Sequence, residues 1–110
     1  MASILLSNDD LLQAIRAKSR IGAEALYDQY AKVLSLAIFR IVRDRTLTDT
    51  VLERTIHQIW DDAALYNEQE VPLLAWMLSI AKKIALKQTI AIEQELKHPV
   101  ISEFQVAGSV

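Results

Sequence analysis

The chain has 110 residues, a formal net charge of −2, 52% hydrophobic residues and no cysteine. This composition excludes disulfides and thiolate metal centres, and argues against a protein that holds duplex DNA by bulk positive charge. One core is what the length supports, burying roughly 60 to 68% of the unfolded surface. With two glycines and two prolines there are few breakers, so the expected fold is all-α, a compact bundle of about four helices.

The N-terminus lacks a basic n-region, and Asp9 and Asp10 interrupt its apolar start, so no signal peptide is expected. Ser7 reads as an N-cap, with Leu11, Leu12 and Ile15 at helical spacing in a first helix to about Lys18. Gly22 sits near the break. Leu26, Tyr30, Val33, Leu34, Ala37, Ile38 and Ile41 then keep a three/four rhythm, the clearest amphipathic helix of the chain.

Thr46 or Thr48 is the expected cap of a third helix, with Val51, Leu52, Ile56, Ile59, Trp60 and Ala63 on its buried stripe, fading near Tyr66. Asn67 to Val71 is polar and acidic. Pro72 suits the first turn of a fourth helix because its missing N–H is not needed there, and Leu73, Met77, Ile80, Ala81 and Ile84 face inward. This helix meets no breaker before His98 and Pro99, so the domain is placed at residues 1–95, with 96–110 as a C-terminal tail or the start of a linker. The longest uncharged run, Val71 to Ala81, is too short to span a bilayer, and the expectation is a cytoplasmic protein without a membrane partner.

The charges are unevenly distributed. Between Pro72 and Ile92 stand three lysines and no acid, whereas Asp61, Asp62, Glu68 and Glu70 cluster just before them without a base. Asp49, Glu53, His57 and Asp61 recur every four residues and form one polar ridge on the third helix. Such a ridge could hold Zn²⁺ or Fe²⁺ if a facing helix supplied more ligands, but the only other histidine is His98. A solvated or partner-facing ridge is the better reading. There is no Gly-rich phosphate loop and no Ser-His-acid motif, so neither an enzyme nor a cofactor is expected.

Trp60, Trp76, Tyr27 and Tyr30 read as packing between helices. Tyr66, at a helix end beside a polar loop, reads either as a loop anchor or as an aromatic face for an unpaired base. Lys82, Lys83 and Lys87 lie on the outer side of the fourth helix. As solubility residues they need no ligand; as phosphate contacts on single strands, three lysines give a log affinity to log salt slope of about −2.

The run T-D-T-V-L-E-R-T-I-H-Q-I-W (Thr48 to Trp60), followed by W-M-L-S-I-A-K-K-I-A (Trp76 to Ala85), resembles region 2 of bacterial sigma factors of the extracytoplasmic-function type. The pattern of that family is A-E-D-x-x-Q-E-x-F-x-x-x-W, a loop, then W-x-x-x-I-A-R-N. A-L-Y-D-Q-Y-A (Ala25 to Ala31) and I-F-R-I-V-R-D (Ile38 to Asp44) add to the likeness, which spans about Asp10 to Gln88. Aligned on Trp60, A-E-D falls on Thr48, Asp49 and Thr50, Q-E on Glu53 and Arg54, and R-N on Lys82 and Lys83.

The resemblance implies a domain of transcription initiation whose second and third helices dock on the clamp coiled coil of core RNA polymerase. On that basis Asp49, Thr50, Glu53, Arg54 and His57 form the polymerase face. Tyr66 and Asn67 belong to the loop that captures the melted, single-stranded minus-ten promoter DNA, and Lys82, Lys83 and Lys87 contact its phosphates. The replaced acid and missing arginines favour an alternative, a protein-interaction module that keeps the sigma fold, binds an anti-sigma factor or itself, and reads no promoter.

Overall fold

The structure is a computed structural model that describes the backbone of residues 5–108 and the side chains of residues 5–94. Four helices follow in order, α1 (Asn8–Arg16), α2 (Arg20–Val42), α3 (Arg45–Asp62) and α4 (Leu73–Gly108), and no strand occurs among the described residues. The all-α bundle is therefore as expected. Its core joins Leu11 and Ile15 of α1, Leu26, Leu34 and Ile38 of α2, Val51 and Ile59 of α3, and Met77, Ala81 and Ala85 of α4.

Ser7 caps α1, its side chain accepting from the Asp10 N–H. α1 stops at Arg16, and Lys18 takes a left-handed φ of 58° to turn the chain into α2. Gly22, near this break as expected, sits in the first turn of α2, behind the Ser19 cap. The reason is a close approach: a Cβ there would lie 2.6 Å from the carbonyl carbon of Ala14. Glycine is what lets α2 press against the end of α1.

Two residues join α2 to α3, which makes these helices antiparallel neighbours. Arg43 closes α2 in the left-handed region and Asp44 caps α3, its carboxylate accepting from the Leu47 N–H at 2.7 Å. The cap is therefore Asp44 and neither threonine. Thr48 is buried instead, with its hydroxyl donating to the Asp44 carbonyl at 2.6 Å, and Thr55 is buried with its hydroxyl donating to Val51. A hydroxyl that satisfies itself on its own helix can stand in an apolar stripe.

α4 begins just after Pro72, whose carbonyl accepts from the Trp76 N–H at 3.0 Å. Its backbone stays helical past Pro99 to Gly108, where the sequence led us to expect the helix to end before His98. Proline removes one helical hydrogen bond, yet no further breaker follows until Gly108. At 36 residues α4 is about 54 Å long, which accounts for principal extents of 62 × 33 × 23 Å. The last two residues of the expected tail, Ser109 and Val110, and the first four of the chain lie outside the described residues. No helix among the described residues is long and apolar enough to cross a membrane.

Candidate functional site

Asp49, Thr50, Glu53, Arg54 and His57 are all exposed on α3, but they do not share one surface. On the α2 side, Asp49, Thr50, Glu53 and His57 line an open groove of about 560 Å³ with Tyr27 of α2. On the α4 side, Glu53, Arg54, His57 and Asp61 border a larger groove of about 800 Å³ with Lys87 and Gln88 of α4. Glu53 and His57 belong to both, so they form the crest between the grooves.

Arg54 donates from Nη1 to Oε1 of Gln88 at 2.9 Å. Its guanidinium is thus turned toward α4 and away from the groove that Asp49 lines.

The loop between α3 and α4 is held by residues distant in sequence. Tyr66 is buried, with its ring stacked on Trp76 at 4.6 Å between centroids and its hydroxyl donating to the Val71 carbonyl. Arg16 at the end of α1 donates from Nε to the Ala63 carbonyl at 2.9 Å and from Nη2 to the Tyr66 carbonyl at 2.6 Å. Its Nη2 also pairs with the Glu68 carboxylate at 3.3 Å. Lys18 donates to the Trp60 carbonyl and sits 4.9 Å above the Trp60 ring. Two cations from the α1–α2 turn therefore satisfy carbonyls that the end of α3 leaves open.

These contacts shape the titration of the loop. Burial raises the Tyr66 phenol, the nearby Glu68 carboxylate raises it further, and Arg16 opposes both. Glu68 is lowered chiefly by a hydrogen bond from its own backbone N–H, against a desolvation cost, with the Arg16 hydrogen bond and charge adding to the lowering.

Of the two readings open for Tyr66, the geometry is that of the anchor: a ring 6% exposed and stacked on Trp76 presents no face to a base while the loop stays closed. Asn67 is exposed, and its Oδ1 accepts from the Gln69 N–H at 2.9 Å. Lys82, Lys83 and Lys87 are exposed on α4, away from this loop except where Lys87 borders the α3–α4 groove. The loop's own charge is acidic.

Trp60, Trp76 and Tyr30 are half-buried against the core, and the Tyr30 hydroxyl donates to Asn8 at 2.8 Å. Tyr27 does not pack between helices as expected but is 55% exposed. Further along α2, Leu36, 55% exposed, and Phe39, 40% exposed, present an apolar face of their own. Neither Arg16 and Lys18 nor this apolar face was legible beforehand; the only local hint was a basic residue in the last turn of α1. Among the described residues no group of three or more His, Cys, Asp or Glu is placed to hold a metal ion. Compared with protein-family models, curated proteins and solved structures, the chain matches none of them.

Proposed function

We propose that the chain is a sigma region 2 type domain of transcription initiation, held on the clamp coiled coil of core RNA polymerase by its α2–α3 face. The observation that carries this reading is the state of that face. Asp49 and Glu53 stand exposed beside the exposed ring of Tyr27, and neither takes part in an ion pair among the described residues. Carboxylates in this setting steer a basic partner and set its register more than they add affinity, while an exposed tyrosine supplies apolar contact. Lys82, Lys83 and Lys87 then touch the melted strand only weakly, at about −0.7 in salt slope per contact, which suffices when polymerase supplies the tether.

A second reading, an interaction module without promoter recognition, is favoured by Tyr66. Capturing a base with this ring requires breaking its stack on Trp76 and its bond to Val71, and extruding the base itself costs a few kcal/mol. The acids at 61, 62, 68 and 70 add repulsion to the strand. Fluorescence anisotropy with a single-stranded minus-ten oligonucleotide and core polymerase, at two salt concentrations, separates the two. Salt-sensitive capture of the oligonucleotide that needs both the chain and polymerase supports the sigma reading; no capture of the oligonucleotide with polymerase present supports the module.

A further inference from the structure

Between the buried residues Ala63 and Leu73, Tyr66 alone is buried; every other residue of the loop is exposed. Residues 66–71 nevertheless hold a shape of their own. The Asn67 carbonyl accepts from the Glu70 N–H at 3.1 Å and from the Val71 N–H at 3.3 Å, the Asn67 side chain accepts from the Gln69 N–H, and the Tyr66 hydroxyl donates to the Val71 carbonyl. They form one closed turn, joined to the bundle through Leu65 on one side and Pro72 on the other.

Two contacts press this turn onto the bundle. One is the stack of the Tyr66 ring on Trp76. The other is Arg16 of α1, which among the described residues makes every hydrogen bond between the loop and a residue distant in sequence. It meets the carbonyls of Ala63 and Tyr66 and the Glu68 carboxylate. Both contacts converge on one residue, since Arg16 holds the Tyr66 carbonyl while Trp76 covers the Tyr66 ring. The Arg16 side chain is 31% exposed, so the latch can be reached from solvent.

We infer that residues 64–72 are a lid latched by Arg16, and that this latch sets how often the Tyr66 ring is presented to solvent. A turn that keeps its internal bonds can swing as a unit, losing only the stack and the Arg16 bonds; such local opening costs less than global unfolding. The guanidinium fork serves two carbonyls at once, a geometry that a lysine ammonium does not match. The inference rests on the proposed function for what the open lid serves: a ring turned away from Trp76 is an aromatic face for an unpaired base. A ligand that binds only the open state has its apparent affinity cut by the fraction open. The closed loop is therefore autoinhibitory toward the strand.

The test begins with the full chain alone. Tetranitromethane nitrates accessible tyrosines, and Tyr27, 55% exposed, serves as the reference. Peptide mapping by mass spectrometry should find Tyr66 protected in the wild type. Arg16→Ala should speed its nitration roughly tenfold or more, as expected for lost hydrogen bonds to a charged group. Amide exchange at Leu34 and Ile38, in the core of α2, should stay unchanged. Loss of the Arg16 charge by itself works the other way, because Arg16 lowers the Tyr66 phenol and the phenolate is the reactive form. Arg16→Lys, which keeps the charge without the fork, should fall between wild type and Arg16→Ala. Unchanged nitration of Tyr66 in both variants, or a rise matched by faster exchange at Leu34 and Ile38, overturns the inference.

The same proteins are then given the minus-ten oligonucleotide with core polymerase. Arg16→Ala should capture the oligonucleotide more tightly than the wild type although it has lost a cation. Weaker capture would overturn the gating role and make Arg16 a phosphate contact instead. No capture by any of the proteins, with Tyr66 nitrated faster in Arg16→Ala, rejects the sigma reading alone and leaves the latch standing.

Discussion

The rings of Tyr66 and Trp76 lie 4.6 Å apart and 28° from parallel, closing the loop between α3 and α4 onto the start of α4. The loop is thus part of the core. Replacing Tyr66 by Ala should cost about 3 to 5 kcal/mol, as for other buried aromatics, and Tyr66→Phe about 1 kcal/mol for the lost hydroxyl bond. Urea unfolding of both variants checks the ordering; equal losses would mean that the ring is not what holds the loop.

Gly22 faces the backbone of Ala14, with the carbonyl carbon at 2.6 Å and the carbonyl oxygen at 2.7 Å from where a Cβ would stand. Helix propensity alone would make Gly22→Ala stabilising by about 1 kcal/mol. The clash should win, and the variant should lose about 1 to 3 kcal/mol. Adding Ala14→Gly should not restore it, because the two shortest approaches are to backbone atoms.

Asp44 is expected to matter more than the threonines that follow it. Asp44→Ala removes the cap of α3 and should cost about 1 kcal/mol, while Thr46→Ala, at an exposed site, should stay within about 0.5 kcal/mol. Thermal unfolding of the two variants side by side settles which residue starts the helix.

The loop should also respond to pH. Glu68 has its folded pKa depressed, by its own backbone N–H first and by Arg16 after it, so its contribution is present above the unfolded value and is lost as pH falls through the folded one. The stability difference between wild type and Glu68→Gln should therefore vanish on acidification. Tyr66 has the opposite sign, because burial raises it: its contribution is whole below the unfolded value and is lost as pH rises through the folded one. Following the phenol by absorbance should show Tyr66 ionising above the ordinary tyrosine range.

Much of the bundle was legible because helical spacing reports burial directly. Leu11, Leu12 and Ile15, Leu26, Leu34 and Ile38, and Leu73, Met77 and Ala81 lie inside as their positions require. The errors have physical causes. Val33 and Tyr27 of α2 are exposed, because spacing along a helix gives the angle of a side chain but not how far the neighbouring helices cover it. Thr48 and Thr55 are inside although polar, since their hydroxyls bond to their own helix.

The site was read less fully than the fold. The exposure of the α3 ridge follows from its four-residue spacing, but the turn of Arg54 toward Gln88 depends on a helix 34 residues further on. Arg16 reaches Tyr66 across 50 residues, and no local pattern encodes such a contact. Spacing tells which face a residue occupies and not which neighbour it meets.

The account turns on whether the α2–α3 face grips a larger assembly. Retention of the full chain on immobilised core RNA polymerase, compared with Glu53→Lys and with Tyr27→Ala, tests this most directly. Both positions are exposed, so the variants should fold normally. The prediction is retention of the wild type, strong loss with Glu53→Lys and partial loss with Tyr27→Ala; no retention of the wild type, or retention indifferent to both changes, would contradict it.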